Sequence, residues 1–302
     1  MGDWIVSIAG TETGARLALG LALFSALAHA IFGAINKGGI DPFLNRGAIN
    51  LWYGAIAAPF ALFALPLPTP DLLIWIGISF VVHIVYEYLQ ASSFEKGAFT
   101  LVYPISRGTG PLVALVLAAV VFGERFSGMQ WVGGLVLSAA IMGLAVANIR
   151  SARLAGGARG ALGPAIRVAV ATGVMLAAYT AIDAYGIRQA DNPFTFLAWF
   201  FVSGAFGFPF IAWARWRSLA VKPPLRPLVL RGLIGAVVAL LSFSSVMLAT
   251  RIDSVGQTAA LRETSIVFAT AIGVLVFRER IDAIRLTLIT IIAMGAVLVE
   301  IG

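Results

Sequence analysis

Ten runs of apolar residues, each near twenty long, divide this chain, and few folds accommodate such a division. They cover residues 15–35, 48–65, 72–94, 98–122, 129–147, 164–186, 193–214, 227–249, 255–277 and 281–299. A helix rises about 1.5 Å per residue, so roughly 20 residues cross the hydrocarbon core of a bilayer. The breaks between runs carry Pro, Gly, Asp, Asn or Arg, most plainly at Pro66-Leu67-Pro68-Thr69-Pro70-Asp71 and Lys222-Pro223-Pro224. Apolar residues make up 60% of the 302 and charged residues only 12%. No soluble fold has interior enough for that much apolar surface, so lipid must be its solvent. The expectation is an all-α polytopic membrane protein with ten transmembrane helices.

The chain also repeats itself. Phe122-Gly123-Glu124-Arg125 returns as Phe277-Arg278-Glu279-Arg280, 155 residues later, and the same offset sets Arg107 on Arg262 and Thr109 on Thr264. Residues 1–147 and 164–302 then form two five-helix halves joined by a basic linker, 148–163. Five spans is an odd number, so the second half enters the membrane upside down, giving two inverted repeats. A duplicated membrane half with an intramembrane Arg at matching depth in each copy points to a transporter.

The basic residues give a topology. One set of loops holds fifteen of the 21 Lys and Arg, among them Lys37, Arg46, Lys96 and Arg215. The other holds Arg16, Arg125, Arg188 and Arg251, and only Arg107 and Arg262 lie inside spans. The positive-inside rule puts the richer side in the cytoplasm and both termini outside it. The stretch 16–30 mimics a secretory signal, but its leader holds Asp3 and Glu12 and its apolar run continues through Ile31-Phe32-Gly33, so it reads as a retained first helix.

With these features the chain resembles the drug/metabolite transporter superfamily. The resemblance rests on ten apolar helices, a five-plus-five repeat, a Gly-Glu-Arg type corner after the fourth and ninth spans, and Tyr103-Pro104-Ile105-Ser106-Arg107-Gly108-Thr109-Gly110-Pro111 in the fourth span. It covers the whole chain as two EamA-type halves, nearest to the bacterial YddG-like exporters of aromatic and other amino acids. It implies a basket of helices around a central cavity, with the fifth and tenth helices peripheral. The second half departs from the pattern: Arg278 replaces the corner Gly, and Ala259 and Ile266 align with Pro104 and Pro111.

Polar side chains at membrane depth face protein or water, so helical spacing selects the cavity candidates. His83, Tyr86, Glu87 and Gln90 share one face of the third span, and Thr100, Tyr103 and Arg107 one face of the fourth. Pro111 has no N–H for the Arg107 carbonyl, and a backbone loosened at depth is tolerated only in protein or beside a cavity. The first span offers Ser25, His29, Phe32 and Asn36, the sixth Thr172, Tyr179 and Asp183, and the ninth Thr258, Arg262 and Ser265.

A free amino acid presents a carboxylate, an ammonium and a side chain. Arg107 can hold the carboxylate with a bidentate fork and Glu87 can accept the ammonium. Tyr86, Tyr103, Tyr179 and Trp199 can wall the side chain, with His83 and Gln90 completing the lining. The bland alternative is that Arg107 and Glu87 pair with each other and fix packing. His29, Asp183 and Arg262 are read as gating or packing residues. His83, His29 and Glu87 are also the candidates for a coupling proton, against ordinary hydrogen-bonded packing. Glu124 and Glu279, each beside an Arg, read as caps and turn anchors, and Gly134 with Ser138 as a packing groove.

Other classes find little to stand on. There is no Gly-x-x-x-x-Gly-Lys-Ser/Thr run for ATP and no His-Glu-x-x-His; two histidines and no cysteine make a metal site improbable. No serine nucleophile has a base at a workable spacing, so no enzyme, no cofactor and no catalytic residue is expected. The partners are the inner-membrane bilayer and a small molecule, amino acids ahead of a sugar phosphate, nucleotide sugar or organic cation; no nucleic acid is expected, and the oligomeric state is left open, a monomer included. A channel is the remote alternative: two deep arginines favour anions, without a pore signature.

Overall fold

The computed structural model describes residues 2–35, 40–96, 99–154, 162–276, 278 and 281–302, without the side chains of 99–101, 151–154 and 162. Asn36, Glu279, the Thr100 side chain and part of the linker thus lie outside the described residues. Thirteen helices follow one another among the described residues: α1 (Gly2–Ser7), α2 (Glu12–Ile35), α3 (Pro42–Phe63), α4 (Pro70–Lys96), α5 (Phe99–Val121), α6 (Gly128–Leu154), α7 (Leu162–Gln189), α8 (Pro193–Gly204), α9 (Phe208–Ser218), α10 (Leu225–Ile252), α11 (Val255–Arg262), α12 (Ser265–Leu275) and α13 (Ala283–Ile301). There is no strand among the described residues. The protein is an all-helical polytopic membrane protein.

Nine spans among the described residues are long and apolar enough to cross a bilayer, with α8–α9 and α11–α12 each counting as one. The tenth expected span is α3, whose 22 residues include Asn45, Arg46 and Asn50. It begins six residues earlier than its apolar run, at Pro42, because the Asp41 carboxylate accepts from the Phe43 and Leu44 N–H groups and Pro42 needs no partner there. The outer surface suits lipid: Phe63, Val120 and Leu275 are 76–87% exposed. In water a surface of this kind would drive association.

The two halves interleave. α4 packs on α7 and α10 packs on α2; α5 packs on α7 and α11–α12 pack on α2; α4 meets α8 and α10 meets α3; α3 lies along α8–α9. The largest core gathers Tyr53, Tyr86, Tyr179, Phe200, Phe201 and Phe243 from α3, α4, α7, α8 and α10. α6 and α13 lie against one another, and α13 is the least buried span. They touch through backbone: a Cβ on Gly133 would sit 2.8 Å from the Val299 nitrogen, and one on Gly295 2.8 Å from the Leu137 nitrogen. Small residues at such crossings let helices approach where lipid offers no hydrophobic drive. Gly134 turns the other way, onto Leu115 of α5.

The two Glu-Arg corners can be compared at one position. Gly123 takes φ +67° and Arg278, 155 residues on, takes φ +54°, so both lie in the left-handed region. Glu124 does cap a helix, but one in the other half. Its carboxylate accepts from Ser254 Oγ (2.7 Å), Val255 N (2.8 Å) and Gly256 N (3.2 Å) at the start of α11, with Arg188 3.6 Å away. An anion there satisfies orphan donors and complements the helix dipole. Glu124→Ala should therefore cost about 2 kcal/mol, the scale of a charged hydrogen-bond set. Denaturant titration of the detergent-solubilised protein measures this, and a loss under about 0.5 kcal/mol would reduce the cap to a surface contact.

The two marked spans differ from expectation. α5 runs unbroken through Pro104 and Pro111, whereas the ninth span, which lacks those prolines, breaks at Glu263-Thr264. The break is a tightening: Glu263 N and Thr264 N bond to the carbonyls of Ala260 and Leu261, three residues back, and the Thr264 hydroxyl also takes the Leu261 carbonyl at 2.6 Å. Side-chain competition of this kind diverts the ladder without a proline. The seventh span breaks at 205–207, where Gly207 lies against Ile84 and Pro209 opens α9.

Candidate substrate cavity

A cavity of about 70 Å³ lies where the halves meet, lined by His29, Phe32, Arg46, Tyr53, His83, Tyr86, Glu87, Gln90, Tyr179, Phe200, Phe201, Ala239, Ser242, Phe243 and Arg262. Those residues come from α2, α3, α4, α7, α8, α10 and α11. α4 contributes the face its spacing foretold: His83, Tyr86, Glu87 and Gln90 all reach the cavity. Gln90 donates to the Tyr86 hydroxyl at 2.6 Å, and the Tyr86 and Tyr179 rings meet edge to face at 4.7 Å. Phe200 and Phe243 stack at 4.4 Å, so one side of the cavity is an aromatic wall. Beside it, the Ser25 and Ser242 hydroxyls each donate to the other's backbone carbonyl (2.7 and 2.9 Å), pinning α2 to α10.

Glu87 is not paired with Arg107. It accepts from Arg46 Nη2 at 2.5 Å and from Asn50 Nδ2 at 2.8 Å, both on α3. Arg46 had been counted with the loop cations; it stands more than one turn inside α3 and reaches the cavity. Arg107 instead donates to Glu263 Oε1 at 2.8 Å, an ion pair between the halves with both side chains 2% exposed. Its guanidinium lies 5.6 Å from the Tyr103 ring centroid. Glu263 carries a role no sequence argument assigned: the offset sets it on Gly108, so the two copies are not equivalent there.

Three residues expected in the site stand outside its lining: Tyr103, Arg107 and Trp199. Tyr103 stacks on His29, 6.4 Å between centroids. Trp199 packs on the outside of the aromatic core, its indole nitrogen without a hydrogen-bond partner. The gating group divides. His29 and Arg262 line the cavity, whereas Asp183 is fully buried behind His83. His83 Nε2 lies 2.7 Å from Asp183 Oδ2, and Ser79 donates to the other carboxylate oxygen, tying α4 to α7. Arg262 donates through Nη1 to the Tyr179 hydroxyl at 3.2 Å.

The arrangement suits a polar molecule with an apolar portion: charge and amides on one side, aromatic rings on the other. Among the described residues no group of His, Cys, Asp and Glu is disposed to hold a metal ion. The basic ends also separate in space. Arg215 pairs with Asp41 and Glu95 at one end of the bundle, and Arg125, Arg188 and Arg251 gather with Asp253 and Glu124 in a polar cleft at the other.

The fold is that of a multi-pass helical membrane protein with a cavity among its spans. Residues 163–301 match the model of the EamA-like transporter family. No curated protein matches the chain in sequence. Among solved structures, a crystal structure of a protein superposes with a TM-score of 0.72 over 96% of this chain and 98% of its own, at 16% identity. That is a likeness of fold alone.

Proposed function

We propose that this protein is a secondary transporter that exports amino acids, including aromatic and large apolar ones, across the inner membrane by alternating access. Two inverted five-span halves, 1–147 and 164–302, would move against each other around the cavity. The carrying observation is the cavity itself: arginines, a carboxylate and aromatic rings enclosed where two halves of an otherwise apolar bundle meet. The matched interfaces support the repeat, since α4 on α7 answers α10 on α2 and α5 on α7 answers α11–α12 on α2.

The organic-cation reading needs an unpaired carboxylate in the cavity, and Glu87 is held by Arg46 and Asn50. Each Glu87 oxygen accepts one of these bonds and keeps a further lone pair, so an ammonium can still be received there without displacing Arg46. The basic end, with Arg215, faces the cytoplasm on this reading.

Liposomes containing the purified protein, preloaded with one unlabelled amino acid, test the proposal. Saturable uptake of labelled Trp, Phe, Met or Thr is the expected result. A sugar phosphate and a quaternary amine run beside them. Uptake of either of those with none of the amino acids would overturn the cargo and keep the transporter.

A further inference from the structure

Three guanidinium groups stand at the centre of this protein, and only two have a carboxylate. Arg46 has Glu87 and Arg107 has Glu263. Arg262 is 6% exposed, lines the cavity, and has no carboxylate within 4 Å among the described residues. Its bond goes to the neutral Tyr179 hydroxyl, and its Nε has no partner. A cation held away from water without a counter-charge is unfavourable by several kcal/mol, roughly, so the protein keeps this one for a ligand or at a steep loss.

The surroundings of Arg262 point to what that ligand is. Arg262 ends α11 at the break in the ninth span, and α12 begins three residues on without a side-chain cap, since the Thr264 hydroxyl turns back to Leu261. The N–H groups of Ile266, Val267 and Phe268 are taken by the carbonyls of Glu263 and Thr264, so the positive charge here is carried by the guanidinium groups. Arg107 takes the one carboxylate here, that of Glu263, the residue after Arg262, and Arg107 Nη2 is also without a partner. The cluster therefore carries one net positive charge. That matches one carboxylate; a phosphate dianion would want a second free cation, and Glu263 would repel it. Tyr86, Tyr179 and Phe243 stand ready for an apolar body attached to the anion.

We propose that Arg262, and not Arg107, is the receptor for a carboxylate on the transported molecule. The inference rests on the transporter reading above and adds to it an anion-bearing substrate class and the residue that selects it. Inorganic chloride offers the same charge without an apolar body, and the test separates the two.

Binding to the purified full-length protein in detergent is measured for phenylacetate, L-phenylalanine and L-leucine, each beside its amide, with chloride titrated alone. The wild type should bind at least one acid about tenfold or more tighter than its amide, the ratio that one charge-assisted hydrogen bond confers. Arg262→Gln should abolish that preference while leaving amide binding in place. Arg262→Lys, which keeps the charge and loses the planar fork, should retain part of it and decides the matter should the Gln variant not fold. Preference unchanged in both variants, or lost only with Arg107→Gln, overturns the assignment. So does amide binding equal to acid binding in the wild type, or saturation by chloride that blocks no acid. Arg262-dependent preference for phenylacetate, with neither amino acid bound, would keep this receptor and overturn amino acids as cargo. Amino-acid uptake with the acid preference intact in Arg262→Gln would do the reverse.

Discussion

Replacing Arg107 with Leu should destabilise this protein by about 3–5 kcal/mol, because it strands the Glu263 carboxylate at the centre of the bundle. Both side chains are 2% exposed, and the pair joins α5 of one half to α11 of the other. Neither charge has water to fall back on. Glu263→Leu should cost about as much, by leaving the buried Arg107 guanidinium without its carboxylate. The double change Arg107→Leu with Glu263→Leu should recover most of the loss, since apolar replacement of a buried pair is often neutral or better. A double-mutant cycle on denaturant unfolding in detergent reads this directly, with a coupling of 2 kcal/mol or more expected for a contact this direct, roughly. Additive single losses would mean that the 2.8 Å contact carries no coupling and that each residue acts through other neighbours.

Much of the fold was legible because lipid imposes a length and a polarity on each span, and both are written locally. Nine spans emerge near their apolar runs for that reason. α3 was the least legible: Asn45, Arg46 and Asn50 dilute its hydropathy, and its true start lay in the Asp41-Pro42 capping signal. The face of α4 was legible from spacing alone, since polar residues on an apolar helix mark the side turned from lipid. Trp199 could not be placed in the same way. α8 is apolar all round, so no stripe distinguishes its inner face. Pairing was the hardest part. Arg107 and Glu87 invited each other by charge, yet their partners come from residues 156 and 41 positions away, and only tertiary packing sets those distances.

A close approach of α5 and α7 near Arg107 predicts a second large effect. On α7, Gly173 lies so near α5 that an added Cβ would stand within 1.7 Å of Thr109 Oγ1 and 2.4 Å of the Ser106 carbonyl oxygen. The first contact belongs to a side chain that is free to be shortened; the second belongs to backbone. Gly173→Ala should therefore cost about 1–3 kcal/mol from overpacking, net of up to about 1 kcal/mol regained from the better helix propensity of Ala. Shortening the opposing residue separates the two contacts. Thr109→Gly in the Gly173→Ala background removes the hydroxyl contact but leaves Ser106 O in place, so rescue should be partial. Gly173→Val should lie further down the same scale, with a bulk that neither helix can absorb without parting. Thermal unfolding of the four proteins orders them. Full rescue by Thr109→Gly would show that α5 and α7 can separate by about an ångström at little cost. Partial rescue would mean that the backbones themselves touch here, so that any motion of one half against the other must pivot at this crossing instead of opening it.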